Sequence, residues 1–250
     1  MSSKNESIGK TLTVVVALCL VCAIIVSFAS VQLRPLQQAN KTQDIQRNIL
    51  AAADIDVVGS VAETFNGKIE ARVVDMNTGE FLNDVDPNSF DFEKSKFDQS
   101  ISFALKTEGI KDTAGIQRMT KNSPVYISKK ADGSTDAIIL PIQGYGLWGV
   151  MYGFLALESD GETVKNINFY KHNETPGLGG EIQNPQWTAK WQGKELPINI
   201  MKSGASNEHQ IDGLSGATLT SNGVDNTVDF WTGEHGFGAF LARVREGALQ

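Results

Sequence analysis

The segment Asp212–Ser221, with the sequence DGLSGATLTS, places several hydroxyl side chains and two glycines in front of a predicted helix. The helix is predicted from Thr218 to about Trp231, because apolar residues recur there at helical spacing. The first N–H groups of a helix lack partners and its N-terminal end carries a partial positive charge. A glycine-bearing loop that leads into such an end indicates a phosphate site, although many helices begin after such a loop without binding anything.

A serine hydrolase is an alternative interpretation of this segment. Gly213–Ala217 (GLSGA) is close to the G-x-S-x-G motif, and Asp229 and His235 follow in the chain order of an α/β-hydrolase triad. However, only 35 of the 250 residues follow Ser215, which is too few for the strands and helices that place those partners. The sequence also contains neither a P-loop nor a G-x-G-x-x-G motif within a βαβ unit, and the three histidines have no metal-ligand spacing.

Two further glycine-rich stretches precede this segment, Pro141–Gly149 (PIQGYGLWG) and Glu174–Glu181 (ETPGLGGE). Glycine lets the backbone approach a ligand closely. In the first stretch Tyr145, Leu147 and Trp148 could stack on a flat ring, and the alternative is that they pack in a core or an interface.

Together these stretches resemble the C subunits of the bacterial sodium-translocating NADH:quinone oxidoreductases, and the wider group of covalent-flavin domains shared with a related electron-transport complex. The resemblance rests on DGLSGAT at Asp212–Thr218, TPGLG at Thr175–Gly179, GYGLW at Gly144–Trp148 and one apolar N-terminal segment. It covers essentially the whole chain. DGLSGAT meets the flavin-attachment pattern D-x-x-[ST]-G-A-[ST] without departure.

The resemblance implies an FMN joined through its phosphate to the hydroxyl of Thr218, as a phosphothreonine ester. In this family a separate magnesium-dependent flavin transferase takes the FMN from FAD and releases AMP. The residues expected to hold the FMN are Thr218, Ser215, Gly216, Ala217, Glu174, Thr175, Gly177, Leu178 and Trp148. No catalytic residue and no metal ligand is expected.

The implied role is an electron carrier within a multi-subunit respiratory complex of the inner membrane, in which NADH reduces quinone and Na⁺ leaves the cell. Two alternatives remain open at this point. The chain could be the homologous FMN subunit of the related ion-translocating electron-transport complex, or a cofactor-free periplasmic binding module.

Antiparallel strands are expected to hold these glycine-rich stretches in place. Asp-Gly between two apolar runs is a strong signal for a β-hairpin. Two hairpins are predicted, Val125–Lys129 with Asp136–Ile142 around Asp132-Gly133, and Met151–Glu158 with Val164–Tyr170 around Asp160-Gly161. With a helix covering one face of the sheet, the predicted fold class is α+β.

Other elements are predicted before these hairpins. A short helix is expected at Ser60–Asn66 and a strand at Ile69–Asp75, which ends in a turn at Asn77–Gly79. A calcium loop at this turn is disfavoured because the glycine stands at the fifth position and no closing Glu follows. The polar segment Asp84–Lys121 is expected to lie on the surface and to be helical in part.

The N-terminal part predicts a membrane anchor. Thr11–Leu33 has 23 residues without Asp, Glu, Lys or Arg, and such a helix is about 35 Å long, enough to cross a hydrocarbon core of about 30 Å. A signal peptide is the alternative, but its apolar region is usually shorter. Cys19 and Cys22 share one helix face, where they could bind a metal or form a thiol pair, and we favour simple packing.

These features predict four regions, a cytoplasmic N-terminus (1–10), a transmembrane helix (11–33), a juxtamembrane helix or linker (34–56) and a periplasmic FMN-binding domain (57–250). In the linker Pro35 suits a first helical turn, and a flexible tether is the alternative. We favour the domain outside the cytoplasm because it contains no cysteine. With 22 basic and 29 acidic residues the chain has a net charge of −7, which disfavours a nucleic-acid partner.

Overall fold

The structure is a computed structural model that describes residues 8–249. The chain divides into two compact units, one ending at Ile45 and the other beginning at Gln46. Residues 1–7 of the predicted cytoplasmic stretch lie outside the described residues.

The first helix, α1, runs from Ile8 to Ala52 without a break at the predicted boundary between residues 33 and 34. Pro35 therefore lies inside a helix rather than in a first turn. The apolar part of α1 is long enough to cross a membrane and is exposed along its length, and both cysteines on it are free. The segment that follows it is helical too, which contradicts the flexible-tether alternative.

A five-stranded antiparallel sheet forms the centre of the second unit, in the order β1–β4–β5–β6–β7. Its strands are β1 (Ile69–Asp75), β4 (Asn122–Lys129), β5 (Thr135–Tyr145), β6 (Val150–Glu158) and β7 (Val164–Lys171). Both predicted hairpins and the predicted first strand are confirmed. Short Asx turns follow these strands. After β1, for example, the Asp75 side chain accepts the N–H groups of Asn77 and Thr78 at 2.8 and 2.9 Å.

Each face of the sheet is covered by helices. The main core lies on one face, between the sheet and the helices α4 (Thr218–Thr232) and α5 (Gly238–Arg245). On the other face α2 (Val61–Lys68) packs Phe65 edge-on against Tyr126, with ring centroids 6.2 Å apart. The end of α1 covers the same face, where Asn168 donates to the carbonyl oxygen of Asn48. The predicted α+β fold class is thus confirmed.

The prediction for the polar segment Asp84–Lys121 is confirmed in one respect and wrong in another. The segment is helical in part, since it contains three 3₁₀ helices (Pro87–Ser89, Ser95–Phe97 and Leu105–Glu108), and it also forms a two-stranded ribbon of β2 (Ser102–Ala104) and β3 (Arg118–Thr120). It does not lie wholly on the surface, because four of its residues belong to the buried main core, namely Leu105, Ala114, Ile116 and Met119. The carboxylates of Asp86, Asp91 and Asp98 accept N–H groups two residues further on, which favours short turns over a long helix.

The chain between the sheet and α4 forms short elements that lead back toward the start of α4. They are a 3₁₀ turn (Gly179–Gln183), α3 (Pro185–Thr188), a second 3₁₀ turn (Ala189–Trp191) and the parallel pair β8 (Asn199–Met201) and β9 (Gln210–Asp212). The loop after β9 contains the hydroxyl-rich segment. It enters α4 at Thr218, as predicted.

Candidate flavin site

The start of α4 is open at its N-terminal end. Ala217 occupies the position before the helix and no side chain caps it. Ser221 N–H donates to the carbonyl oxygen of Ala217 at 3.0 Å, so the amides of residues 218–220 precede the first α-helical hydrogen bond. This end of α4 can therefore receive an anionic group.

The four hydroxyls around this helix start differ in their surroundings. Thr220 and Ser221 are buried. Thr220 donates to Glu174 Oε2, and Ser221 donates to the carbonyl oxygen of Ala217 at 3.1 Å. Thr218 and Ser215 are exposed, and Thr218 is the one that lies in the first turn of α4.

Glu174 joins three segments that are distant in sequence. Its side chain is buried, with 4% exposure for the residue. Oε1 accepts the N–H groups of Leu147 and Trp148 at 3.0 and 2.9 Å, and Oε2 accepts the hydroxyl of Thr220. The carboxylate thus ties the loop after β5, its own glycine-rich loop and the first turn of α4 into one site.

Two glycines make room for this carboxylate. A Cβ atom on Gly146 would lie 2.5 Å from Glu174 Oε1, and one on Gly179 would lie 2.8 Å from Oε2. Any larger residue at either position would displace the carboxylate or one of the loops that it joins.

Four large apolar side chains stay exposed around the helix start, and none of them belongs to the core. They are Leu147 (41% exposed), Trp148 (63%), Leu178 (46%) and Leu219 (58%). Leu178 lies beside the hydroxyl-rich loop, since a Cβ atom on Gly216 would lie 3.3 Å from Leu178 Cδ2. Apolar groups of this size beside an open helix end suit a ligand with both an anionic group and a flat ring.

Comparison with known proteins agrees with this geometry. Residues 146–232 match the model of the FMN-binding domain, so the match begins at Gly146 and ends with α4. The C subunit of the Na⁺-translocating NADH-quinone reductase of Yersinia pestis is 48% identical, over 98% of this chain and 96% of its own length. Its counterpart in Vibrio anguillarum is also 48% identical, over 100% of both chains.

This chain belongs to the family of Na⁺-translocating NADH-quinone reductase C subunits. The predicted family is thereby confirmed. The crystal structure of Shewanella oneidensis NqrC superposes with a TM-score of 0.77 and 29% identity, over 84% of this chain and 100% of that one. The crystal structure of the C subunit from Parabacteroides distasonis gives a TM-score of 0.65 at 28% identity, over 84% of this chain and 96% of that one.

The residues of this family member fit FMN. The phosphate suits the open start of α4 beside the exposed Thr218 hydroxyl, and the ring suits the exposed Leu147, Trp148 and Leu178. Within residues 8–249 no cluster of His, Cys, Asp or Glu is arranged to hold a metal ion.

The structure brings the predicted site residues to one region. Ser215, Gly216, Ala217 and Thr218 form the loop and helix start, while Thr175, Gly177 and Leu178 lie exposed on the neighbouring loop. Glu174 lies beneath them with both carboxylate oxygens occupied by protein donors. We therefore predict that Glu174 contributes to FMN binding by positioning the loops around the site.

Thr220 and Leu219 were not among the predicted site residues. The helical periodicity contains a signal for Thr220, since it lies four residues before Val224 on the face that packs into the core. A hydroxyl on that face requires a buried partner, and Glu174 supplies it.

Glu174 makes the stability of the protein depend on pH. Burial raises the pKa of the Glu174 carboxyl, but the hydrogen bonds from Thr220, Trp148 and Leu147, together with the nearby His172, outweigh it, so the pKa lies below the ordinary value. The carboxylate therefore contributes stability above the unfolded pKa of about 4.3, and this is lost as the pH falls through the lower folded value. We expect Glu174→Gln to reduce the free energy of unfolding by about 1–2 kcal/mol at pH 7, and by progressively less below pH ~4.

Urea unfolding at several pH values, followed by tryptophan fluorescence, measures this difference. All four tryptophans lie in the globular unit and report its unfolding. A difference between the two proteins that stays constant from pH 7 to pH 3.5 would contradict the prediction.

Proposed function

We propose that this chain carries its FMN as a phosphoester on Thr218. The observation that carries the proposal is the contrast among neighbouring hydroxyls. Thr220 and Ser221 are buried and hydrogen-bonded, whereas Thr218 is exposed in the first turn of α4. Ser215 is exposed too, but it lies in the loop before the helix.

The attachment step is a phosphoryl-group transfer. The Thr218 oxygen bonds to the FMN phosphorus of FAD while the bond from that phosphorus to the bridging oxygen breaks. AMP leaves with the bridging oxygen, and the hydroxyl proton passes to a base or to solvent. The step needs an FAD donor and a flavin transferase with Mg²⁺, which is the maturation partner that the family resemblance implies.

This chain's residues then hold the product in place. The amides before the first α-helical hydrogen bond of α4 face the phosphoester and favour its negative charge. Leu147, Trp148 and Leu178 offer apolar contact to the ring, and Glu174 fixes the loops that present them. Bound FMN supplies the capacity to accept and release one or two electrons, and the protein supplies position and electrostatics.

The functional conclusion is an FMN-carrying subunit of a Na⁺-translocating NADH-quinone reductase. It relays electrons among the other subunits of an inner-membrane complex. Helix α1 anchors the chain in the membrane by a single crossing of the lipid bilayer. The chain is an electron carrier within an oxidoreductase, and the reduction of quinone by NADH belongs to the whole complex.

Covalent flavin is tested by the colour of the denatured protein. The full chain, produced together with a flavin transferase, should remain yellow and fluorescent after complete denaturation and desalting. A non-covalent FMN protein would lose its colour at that step. A cofactor-free binding module would be colourless from the start, and either outcome contradicts the proposal.

The related electron-transport complex remains a second family with the same attachment motif. Identities of 48% over the full length to two named C subunits favour the sodium pump. NADH oxidation by membranes that contain this chain should depend on Na⁺, and an activity that is independent of Na⁺ would favour the related complex.

We further propose that the FMN domain lies in the periplasm. No cysteine follows Cys22, which favours a domain in an oxidising compartment and the N-terminus inside. Alkaline phosphatase fused to the C-terminus should be active, because that enzyme needs periplasmic disulfides. An inactive phosphatase fusion together with a fluorescent cytoplasmic reporter at the same site would reverse the orientation.

A further inference from the structure

Glu174 is a buried carboxylate whose hydrogen-bond donors are all neutral. The donors are the N–H groups of Leu147 and Trp148 and the hydroxyl of Thr220. In the part of the chain that the structure describes, no lysine, arginine or histidine nitrogen forms an ion pair with it. The negative charge of this carboxylate is thus spread over hydrogen bonds but is not cancelled.

The neighbouring His172 contacts the backbone of Glu174. Glu174 N–H donates to His172 Nδ1 at 3.1 Å. Within the described residues the carboxylate itself is hydrogen-bonded by Leu147, Trp148 and Thr220, and not by a His172 nitrogen. The carboxylate itself stays ionised at neutral pH, because its hydrogen bonds lower the pKa despite burial.

The Glu174 carboxylate lies between the loop of Leu147 and Trp148 and the start of α4, the two segments proposed to hold the FMN. The two amides that bind Oε1 belong to Leu147 and Trp148, whose side chains are exposed beside the helix start. The hydroxyl bound to Oε2 belongs to Thr220, two residues after Thr218. Charges interact strongly across a poorly hydrated interior, where the effective dielectric constant is well below that of water.

We propose that the Glu174 carboxylate lowers the reduction potential of the flavin carried on Thr218, and that this residue makes the site a stronger electron donor. The inference rests on the proposed function, because it requires the flavin on Thr218. Reduction adds electrons to the ring, and a fixed negative charge nearby opposes that addition. Removing the charge therefore makes reduction easier and moves the potential to a more positive value.

The hydrogen bonds at this position do not by themselves require a charge. A glutamine could accept the same two N–H groups with Oε1 and donate from Nε2 to Thr220 Oγ1. An isolated carboxylate is also costlier to bury than an amide. The charge and the hydrogen-bond geometry can consequently be separated by the substitution Glu174→Gln.

The experiment is a spectroelectrochemical titration of the flavin in the purified full chain. In Glu174→Gln we expect at least a tenfold change in the reduction equilibrium toward the reduced form, which is a positive shift of about 30 mV for a two-electron couple. Glu158→Gln is the matched charge control, because Glu158 lies far from the flavin site. Val150 begins β6 directly after the loop of Leu147 and Trp148, and Glu158 ends the same strand eight residues later, about 26 Å away along the strand. The reduction equilibrium of Glu158→Gln should stay within threefold of the wild type. Thr220→Val removes a hydrogen bond but keeps the charge, and it should shift the potential less than Glu174→Gln does.

An unchanged potential in Glu174→Gln, or equal shifts in Glu174→Gln and Thr220→Val, would overturn the proposal and leave Glu174 a structural residue. If Glu174→Gln acquires no flavin, Glu174→Asp takes its place. That variant keeps the charge, so its reduction equilibrium constant must stay within threefold of the wild-type value. A tenfold change in that constant contradicts the proposal. Failure of the proposed function is recognised separately, because the wild-type chain would then carry no covalent flavin to titrate.

Discussion

Thr218→Val abolishes covalent flavin and leaves the globular unit folded. Valine keeps the branched shape of threonine but removes the oxygen that forms the phosphoester, so no bond to phosphorus can form. Because Thr218 is exposed, the free energy of unfolding of the flavin-free protein should change by only about 0.5 kcal/mol or less. Flavin fluorescence in a denaturing gel measures the attachment, and urea unfolding measures the fold.

Neighbouring hydroxyls provide the controls for this prediction. Ser215→Ala should keep covalent flavin, and Thr218→Ser should keep it at reduced yield because a hydroxyl remains. Peptide mass mapping locates the added mass of FMN. Undiminished fluorescence in Thr218→Val, with the added mass on Ser215, Thr220 or Ser221, would refute the assignment.

Gly223→Ala destabilises the globular unit and lowers its flavin content. Gly223 lies where α4 touches the loop after β5, and a Cβ atom there would lie 2.5 Å from the carbonyl oxygen of Tyr145 and 3.0 Å from Gly146 Cα. Both obstacles are backbone atoms, so the helix must move away from the loop. We expect a loss of about 3 kcal/mol in the free energy of unfolding, typical of overpacking at a tight contact.

Gly67→Ala is the matched control, since Gly67 also lies within a helix. A Cβ atom on Gly67 would meet no atom within 4 Å. Alanine is the better helix former, and this substitution should therefore stabilise the protein by up to about 1 kcal/mol. A Gly223→Ala variant that is as stable and as fully flavinylated as the wild type would show that the close approach is not needed.

The flavin content of Gly223→Ala falls for a geometric reason. Glu174 holds the start of α4 and the loop of Leu147 and Trp148 at fixed separation. If α4 shifts, these hydrogen bonds cannot all be kept, and the surface offered to the ring loses its shape. Comparing flavin yield with stability across Gly223→Ala, Gly67→Ala and wild type separates this effect from general unfolding.

Much of the fold follows from local sequence. The Asp-Gly dipeptides at 132–133 and 160–161 fix hairpins between apolar runs, because a tight turn is specified by the residues within it. The start of α4 at Thr218 and the long apolar helix follow from periodicity and from the absence of charge. Within Asp84–Lys121 the same local reasoning missed the residues that join the core, because polar composition does not show which of its few apolar side chains the tertiary fold buries.

Residue patterns alone were enough to predict the anchor, the hairpins and the helix after the glycine loop, and the family resemblance of DGLSGAT singled out Thr218. The burial of Thr220, the exposure of Thr218 and the joining of three loops by one carboxylate became visible only in the folded chain. Glu174 lies 46 residues from Thr220 and 26 from Trp148 along the chain. Such pairs meet through strand register and the packing of α4 on the sheet, which depend on contacts among many residues rather than on the local pattern around any one of them.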